Sequence, residues 1–221
     1  MLNSVISHTR LTPFHNRILY TALFAISSQY TAAAVLPGDL LITEVMANPA
    51  AVSDANGEWF EVWNTRNHSI DLNGLTVRDE GSNNFTVDEP LLVAAGAFFV
   101  FAKNGDSASN GGLNADYSYS NFTLANSSDA IIIEFAGNLI DNLSYNDSAL
   151  FGAAGNSAER IGGAFMLTPF EFSYGDGDIG TPGSAGSDIP VSTVPLPSAA
   201  WLMASALAGL IFRRKPLASS N

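Results

Sequence analysis

Few side chains in this sequence are suited to chemistry. Cysteine is absent from all 221 residues, which removes disulfides, thiolate metal sites and cysteine nucleophiles together. Of the three histidines, His8 and His15 fall near the N-terminus, and His68 stands in the polar turn Asn67-His68-Ser69. No metal-ligand spacing surrounds His68, and no nucleophile motif such as Gly-x-Ser-x-Gly accompanies it, so it reads as a solvent-exposed turn residue. Glu58 and Glu61 invite comparison with an acid/base pair. Glycosidase chemistry, however, needs carboxylates held across a sugar in a cleft, and residues three apart on one strand point to opposite faces. Gly111-Gly112 lies in a polar loop with no helix after it, unlike a phosphate-binding glycine loop. One further chemistry is open. Asp176-Gly177-Asp178, with Asp71, Asp79-Glu80 and Asp88-Glu89, offers the hard oxygen ligands that calcium takes. Asp176 and Asp178 lack the full Asp-x-Asp-x-Asp-Gly loop and downstream glutamate of an EF-hand, and the competing reading is turn formation. The residues thus supply no catalytic or cofactor-binding set, and the expectation is a protein that is not an enzyme.

The elements that would position these groups read as strands and turns. Leu40 to Met46 and Trp59 to Trp63 are rich in β-branched and aromatic residues. The loop between them, Asn48-Pro49 through Asn56-Gly57, is made of turn formers. Alternation along the second run sends Phe60 and Val62 to one face and Trp59, Glu61 and Trp63 to the other. A carboxylate between two indoles is unusual on a plain surface strand. Either Glu61 accepts hydrogen bonds from a neighbouring turn, the reading that satisfied buried polar groups favour, or that face is open to a partner. Further on, Asn73-Gly74 marks a turn between the apolar runs of Ile70 to Asp79, and Phe85 to Val87 and Leu91 to Val93 are short strands. Ala97 to Lys103 is a strongly apolar, central strand. Ser107 to Ser120 is a long polar loop expected to be mobile. Ala130 to Phe135 and Leu139 to Tyr145 form a hairpin about Gly137-Asn138. Short strands at this spacing indicate an all-β antiparallel sandwich over residues 35–186.

Charge narrows the partners. Between Asp39 and Asp188 four basic residues stand against all 21 acidic ones, a net charge of −17. Such a surface repels nucleic-acid phosphates and anionic headgroups, so no nucleic acid is expected as a partner.

Residues 1–34 have the composition of an export signal: Arg10 and Arg17, an apolar core from Ile18 to Ile26, and small residues at Ala32-Ala33-Ala34. Cleavage by signal peptidase is expected after Ala33 or Ala34. At the other end, Gly186 to Thr193 has a Ser/Gly/Pro composition, and 187–193 is the expected linker. Val194-Pro195-Leu196-Pro197 follows, then an apolar run whose 196–212 stretch is just long enough to span a bilayer, then Arg213-Arg214-Lys215 and a short cytoplasmic tail, 216–221. The basic cluster assigns the C-terminal end to the cytoplasm and the sandwich to the outside.

Two resemblances follow from these residues. ITEVMANP followed by EWFEVWN resembles the opening of the bacterial lamin-tail domain, an immunoglobulin-like β-sandwich. Asp71-Leu72 through Asp79 is similar to that family's Asp-Leu-x-Gly-aromatic-x-Leu-x-Asp segment, with Leu75 in place of the aromatic. Leu124 through Tyr145, Ser157-Ala158-Glu159-Arg160 and Gly180-Thr181-Pro182-Gly183 resemble its later motifs, in the same order. The C-terminal segment resembles the PEP-CTERM sorting signal of Gram-negative bacteria in a Val-Pro-Leu-Pro spelling, Leu196 standing where glutamate would be. That resemblance implies recognition by an exosortase-type enzyme, removal of the membrane helix and passage outward, often beside extracellular polysaccharide. The expected function is a non-enzymatic β-sandwich sorted through the inner membrane to the cell envelope, surface or exterior, binding polysaccharide or an envelope protein or serving the matrix. The alternatives are a membrane-retained anchor that recruits a partner protein through a strand edge, and a small secreted hydrolase using loop carboxylates.

Overall fold

The computed structural model of the protein describes residues 34–187. The expected signal peptide up to Ala33, the Val194-Pro195-Leu196-Pro197 motif, the apolar run at 196–212, Arg213, Arg214 and Lys215 lie outside those residues. Among the described residues no helix is long and apolar enough to cross a membrane.

In chain order the strands are β1 (Leu40–Met46), β2 (Trp59–Asn64), β3 (Ile70–Asp71), β4 (Leu75–Arg78), β5 (Asn84–Thr86), β6 (Leu92–Val93), β7 (Phe98–Ala102), β8 (Tyr117–Ser118), β9 (Ser128–Phe135), β10 (Asn138–Asn146), β11 (Ala158–Ile161), β12 (Ala164–Leu167), β13 (Ser173–Tyr174) and β14 (Asp178–Ile179). One helical turn, α1 (Asp54–Gly57), sits in the β1–β2 loop. A six-stranded sheet runs β12-β11-β1-β2-β7-β8 and a four-stranded sheet runs β10-β9-β4-β5, with β3–β6 and β13–β14 as two-stranded ribbons. The ladders are antiparallel apart from β7–β8, which is parallel.

Alternation explains the layering. Ile42, Val45, Phe60, Val62, Phe99 and Phe101 of the large sheet share one buried cluster with Leu75, Val77, Ile131 and Ile133 of the small one. Such inward faces are what hold a sandwich together, each fully buried aliphatic or aromatic side chain contributing roughly 1.5–3 kcal/mol. Phe85 closes one end, its ring 5.0 Å from that of Tyr119 and 5.9 Å from that of Phe101.

Three expectations need correction. The β9–β10 turn is Ala136-Gly137, one residue earlier than expected, both residues having positive φ. A two-residue hairpin loop of type I′ requires that conformation at both central positions to match strand twist. The Ser107 to Ser120 loop is pinned: Asn110 and Leu113 are buried, and Asp116 accepts the Val100 amide at 2.8 Å. Gly111-Gly112 serves packing here, since a Cβ on Gly112 would meet Gly175 Cα at 2.7 Å. The Ala97 to Lys103 strand is interior but next to last, with β8 outside it.

Candidate functional site

Three glutamates form one row across the large sheet. Glu44 on β1 is the register partner of Glu159 on β11 and of Glu61 on β2. All three are 1% exposed, and they lie on the face turned away from the sandwich core. A register shift between Ile42 and Glu44 places them there. The extra residue, Thr43, breaks the two-residue period, so Ile42 and Val45 both reach the core while Glu44 turns outward, as bulges re-aim side chains. Beside the row, Met46, Trp59, Val100 and Ala102 form a second small apolar cluster with Leu113.

The segment covering this face is 168–187, which includes β13 and β14. With Ser157 and Thr43, it supplies the donors that the carboxylates need. Glu44 Oε1 accepts from the Thr181 amide at 2.8 Å and from Ser157 Oγ at 2.5 Å, and Glu44 Oε2 accepts from Thr181 Oγ1 at 2.6 Å. Glu61 accepts from Thr43 Oγ1 and from the Gly183 amide, each at 2.7 Å. Glu159 accepts from the Ser187 amide at 3.0 Å and from the Ser187 hydroxyl. Glu61 therefore takes one of its hydrogen bonds from a neighbouring turn, as favoured from the sequence, and the other from β1. Trp59 Nε1 adds a bond to Tyr174 Oη at 2.8 Å, and the two rings meet edge to face.

The ion pairs of the described residues involve Asp39, Glu134, Glu58 and Asp141, never this row. Amides and hydroxyls alone offset its charge. Burial pushes Glu44 above the ordinary carboxylate value, its hydrogen bonds opposing this in part. Glu61 is held well above that value by burial first and by Glu44 next. Each carboxylate is closed off from solvent, so the row fastens one stretch of chain to a sheet and presents no acid or base to an external substrate.

The other candidates are scattered. Glu58, 4% exposed, accepts from Lys103 Nζ at 3.2 Å and from the Leu124 amide at 3.0 Å. Burial raises its pKa, Lys103 and the amide acting against this. Asp178 is buried and accepts the Ala50 and Ala51 amides at 3.1 Å, whereas Asp176 is exposed. Among the described residues no three His, Cys, Asp or Glu side chains gather as a metal-ligand set. His68 is exposed and lies 3.2 Å from Asn67 Oδ1. A cleft of about 470 Å³ is lined by Asp79, Glu80, Asp129 and Tyr145 among others. Its aspartates are spent on local backbone: Asp79 on the Gly81 and Asn83 amides, Asp129 on those of Ala125 and Ala130.

The sequence pointed to Glu61 but not to Glu44 or Glu159. A charged residue inside an apolar run, as in LLITEVM, is the signal that could have found Glu44.

No curated protein matches the chain. The Lamin Tail Domain family model matches residues 34–147, the stretch that carries β1 through β10 and so both faces of the core. With more than half its length matched by that model, and with the sandwich those residues build, the chain belongs to the lamin tail domain family.

Proposed function

We propose that this protein is an exported, non-enzymatic lamin-tail sandwich, sorted by its C-terminal segment to the cell envelope or exterior, where it binds or builds surface material. The observation that carries the non-enzymatic part is the direction of its buried carboxylates. Glu44, Glu58, Glu61 and Asp178 are all spent on amides, hydroxyls or Lys103 inside the domain. The sorting part rests on sequence. A basic start and apolar core lead to Ala33-Ala34, and Val194-Pro195-Leu196-Pro197 is followed by an apolar run and Arg213-Arg214-Lys215. Signal peptidase and an exosortase-type enzyme are the processing partners of this reading, and a polysaccharide or envelope protein is the final one.

The test is the intact mass of the protein recovered separately from inner membrane, outer membrane and medium. The expected species begins near Val35, ends near Val194 and is found outside the inner membrane. A species ending at Asn221 and confined to the inner membrane would replace sorting by permanent anchoring, with the sandwich recruiting a partner at its outer face.

A further inference from the structure

One edge of the large sheet differs from the rest of this acidic molecule. Among the described residues β12 has a neighbour only on the β11 side. Met166 is 54% exposed, Leu167 40% and, in the turn just after, Phe170 80%. From Ile161 to Phe170 the chain carries no charged residue, although the stretch from Asp39 to Asp188 that contains it holds all 21 of the protein's acidic residues. Apolar edges are ordinarily blunted with lysine, proline within the strand or an inward charge; Ala164–Leu167 has none of these.

The place where the described chain ends is the second observation. Ser187 is tied to Glu159, and Glu159 is the register partner of Met166. The C-terminal segment therefore departs one strand away from the apolar edge. Ten residues, and so eleven Cα–Cα steps, lie between Ser187 and Ser198, where the apolar run begins. Fully extended, that distance is at most about 40 Å. If the run enters a bilayer, this edge of the sandwich is held close to the lipid surface.

We infer that β12 and the turn at Phe170 are the face on which the sandwich rests against a neutral phospholipid bilayer while its tail is still attached. The inference rests on the reading that residues 198–212 enter the membrane. Phenylalanine, leucine and methionine side chains suit the boundary between headgroups and acyl chains, and an uncharged decapeptide loses no charge hydration there. A second copy of the chain is the less favoured occupant, because two bodies of strong like charge repel. Anionic lipid is disfavoured for the same reason.

The absence of cysteine makes the test direct. Full-length protein carrying Met166→Cys, Phe170→Cys or, for comparison, Leu92→Cys is labelled with an environment-sensitive fluorophore and reconstituted with phosphatidylcholine vesicles, with and without nitroxide-bearing lipid. Leu92 is 70% exposed on the β3–β6 ribbon. Flotation is read first. The expected result is that all three proteins float, and that labels at 166 and 170 shift to the blue and are quenched at least twofold more strongly than the label at 92. Flotation with equal quenching at the three positions overturns the inference and leaves the tail reading standing. A blue shift that nitroxide lipid does not quench, and that grows with protein concentration, assigns the edge to a second copy and also overturns it. Failure to float overturns the membrane reading, and the inference with it.

Discussion

Glu61 is bonded at one oxygen to Thr43 and at the other to Gly183, yet it is the group held furthest from its ordinary protonation behaviour in the row. Its pKa and that of Glu44 lie above 4.5 in the folded protein. In the window from about 4.5 up to those raised values the folded state binds more protons than the unfolded one, so stability falls as pH rises through it. The domain should therefore unfold at a lower temperature at pH 8 than at pH 5, and a Tm that rises over this interval would refute the assignment. Glu61→Gln should raise stability at pH 8 by about 1–3 kcal/mol and flatten the pH profile. The amide oxygen can still take the Gly183 N–H, and the new NH₂ can donate to the Thr43 hydroxyl. Denaturant unfolding at the two pH values measures both effects. At this scale the sequence revealed only part of the site. Two flanking indoles made Glu61 conspicuous, but Glu44 sits at the same parity as Leu40 and Ile42. Only the extra residue at Thr43 turns it outward, and nothing in a single sequence announces a bulge.

Two bulged strands meet across the sandwich. The register of β10 slips between Leu139 and Asp141, as that of β1 does between Ile42 and Glu44. Asp141 Oδ2 then reaches from the small sheet to the Ile42 amide at 2.8 Å and to Arg160 Nη2 on β11 at 3.0 Å. One carboxylate thus joins three strands and both sheets. Asp141→Ala should cost about 2–4 kcal/mol, since it strands a partly buried guanidinium and an amide together. Asp141→Asn, which keeps an acceptor, should cost less than half as much. Equal losses in thermal or denaturant unfolding would show that the link is steric and not polar. The strands themselves were well marked in the sequence, because a two-residue period with β-branched and aromatic residues is a local signal. Leu40–Met46 and the Trp59 strand appear where expected. What local pattern could not supply is partnership. Asn73-Gly74 is a turn, but the strands on either side of it pair elsewhere, β3 with β6 and β4 with β5 and β9.

For the molecule as a whole, the family match stops at residue 147 while the described structure continues as part of the same sheet. β11 pairs with β1, and Thr181, Gly183 and Ser187 cover the carboxylate row. A chain ending at Asp147 would leave the β1 edge unpaired and Glu44 and Glu61 without their amide donors. It should show no cooperative unfolding transition, whereas a chain of residues 35–187 should unfold in one step. Circular dichroism melts of the two decide this, and a sharp transition in the shorter chain would mean that residues 148–187 are an appendage. The motifs Ser157 to Arg160 and Gly180 to Gly183 hinted at this extension, and hydrophobic patterning did not. The covering segment is held by hydrogen bonds to glutamates more than by an apolar stripe.

Closure of the row by such a late segment also sets a schedule. Thr181 lies 137 residues beyond Glu44, and β1, a central strand, is among the first parts of the chain to be made. At synthesis rates of about 5–20 residues per second, the strand waits on the order of ten seconds for the partners that complete it. The nascent domain is therefore a long-range folder: the β1 edge waits for β11, and the carboxylate face stays uncovered until almost the last described residue has emerged. Exposure of an incomplete sheet to unintended pairing, until its late partners arrive, is the hazard that this topology imposes on its biogenesis.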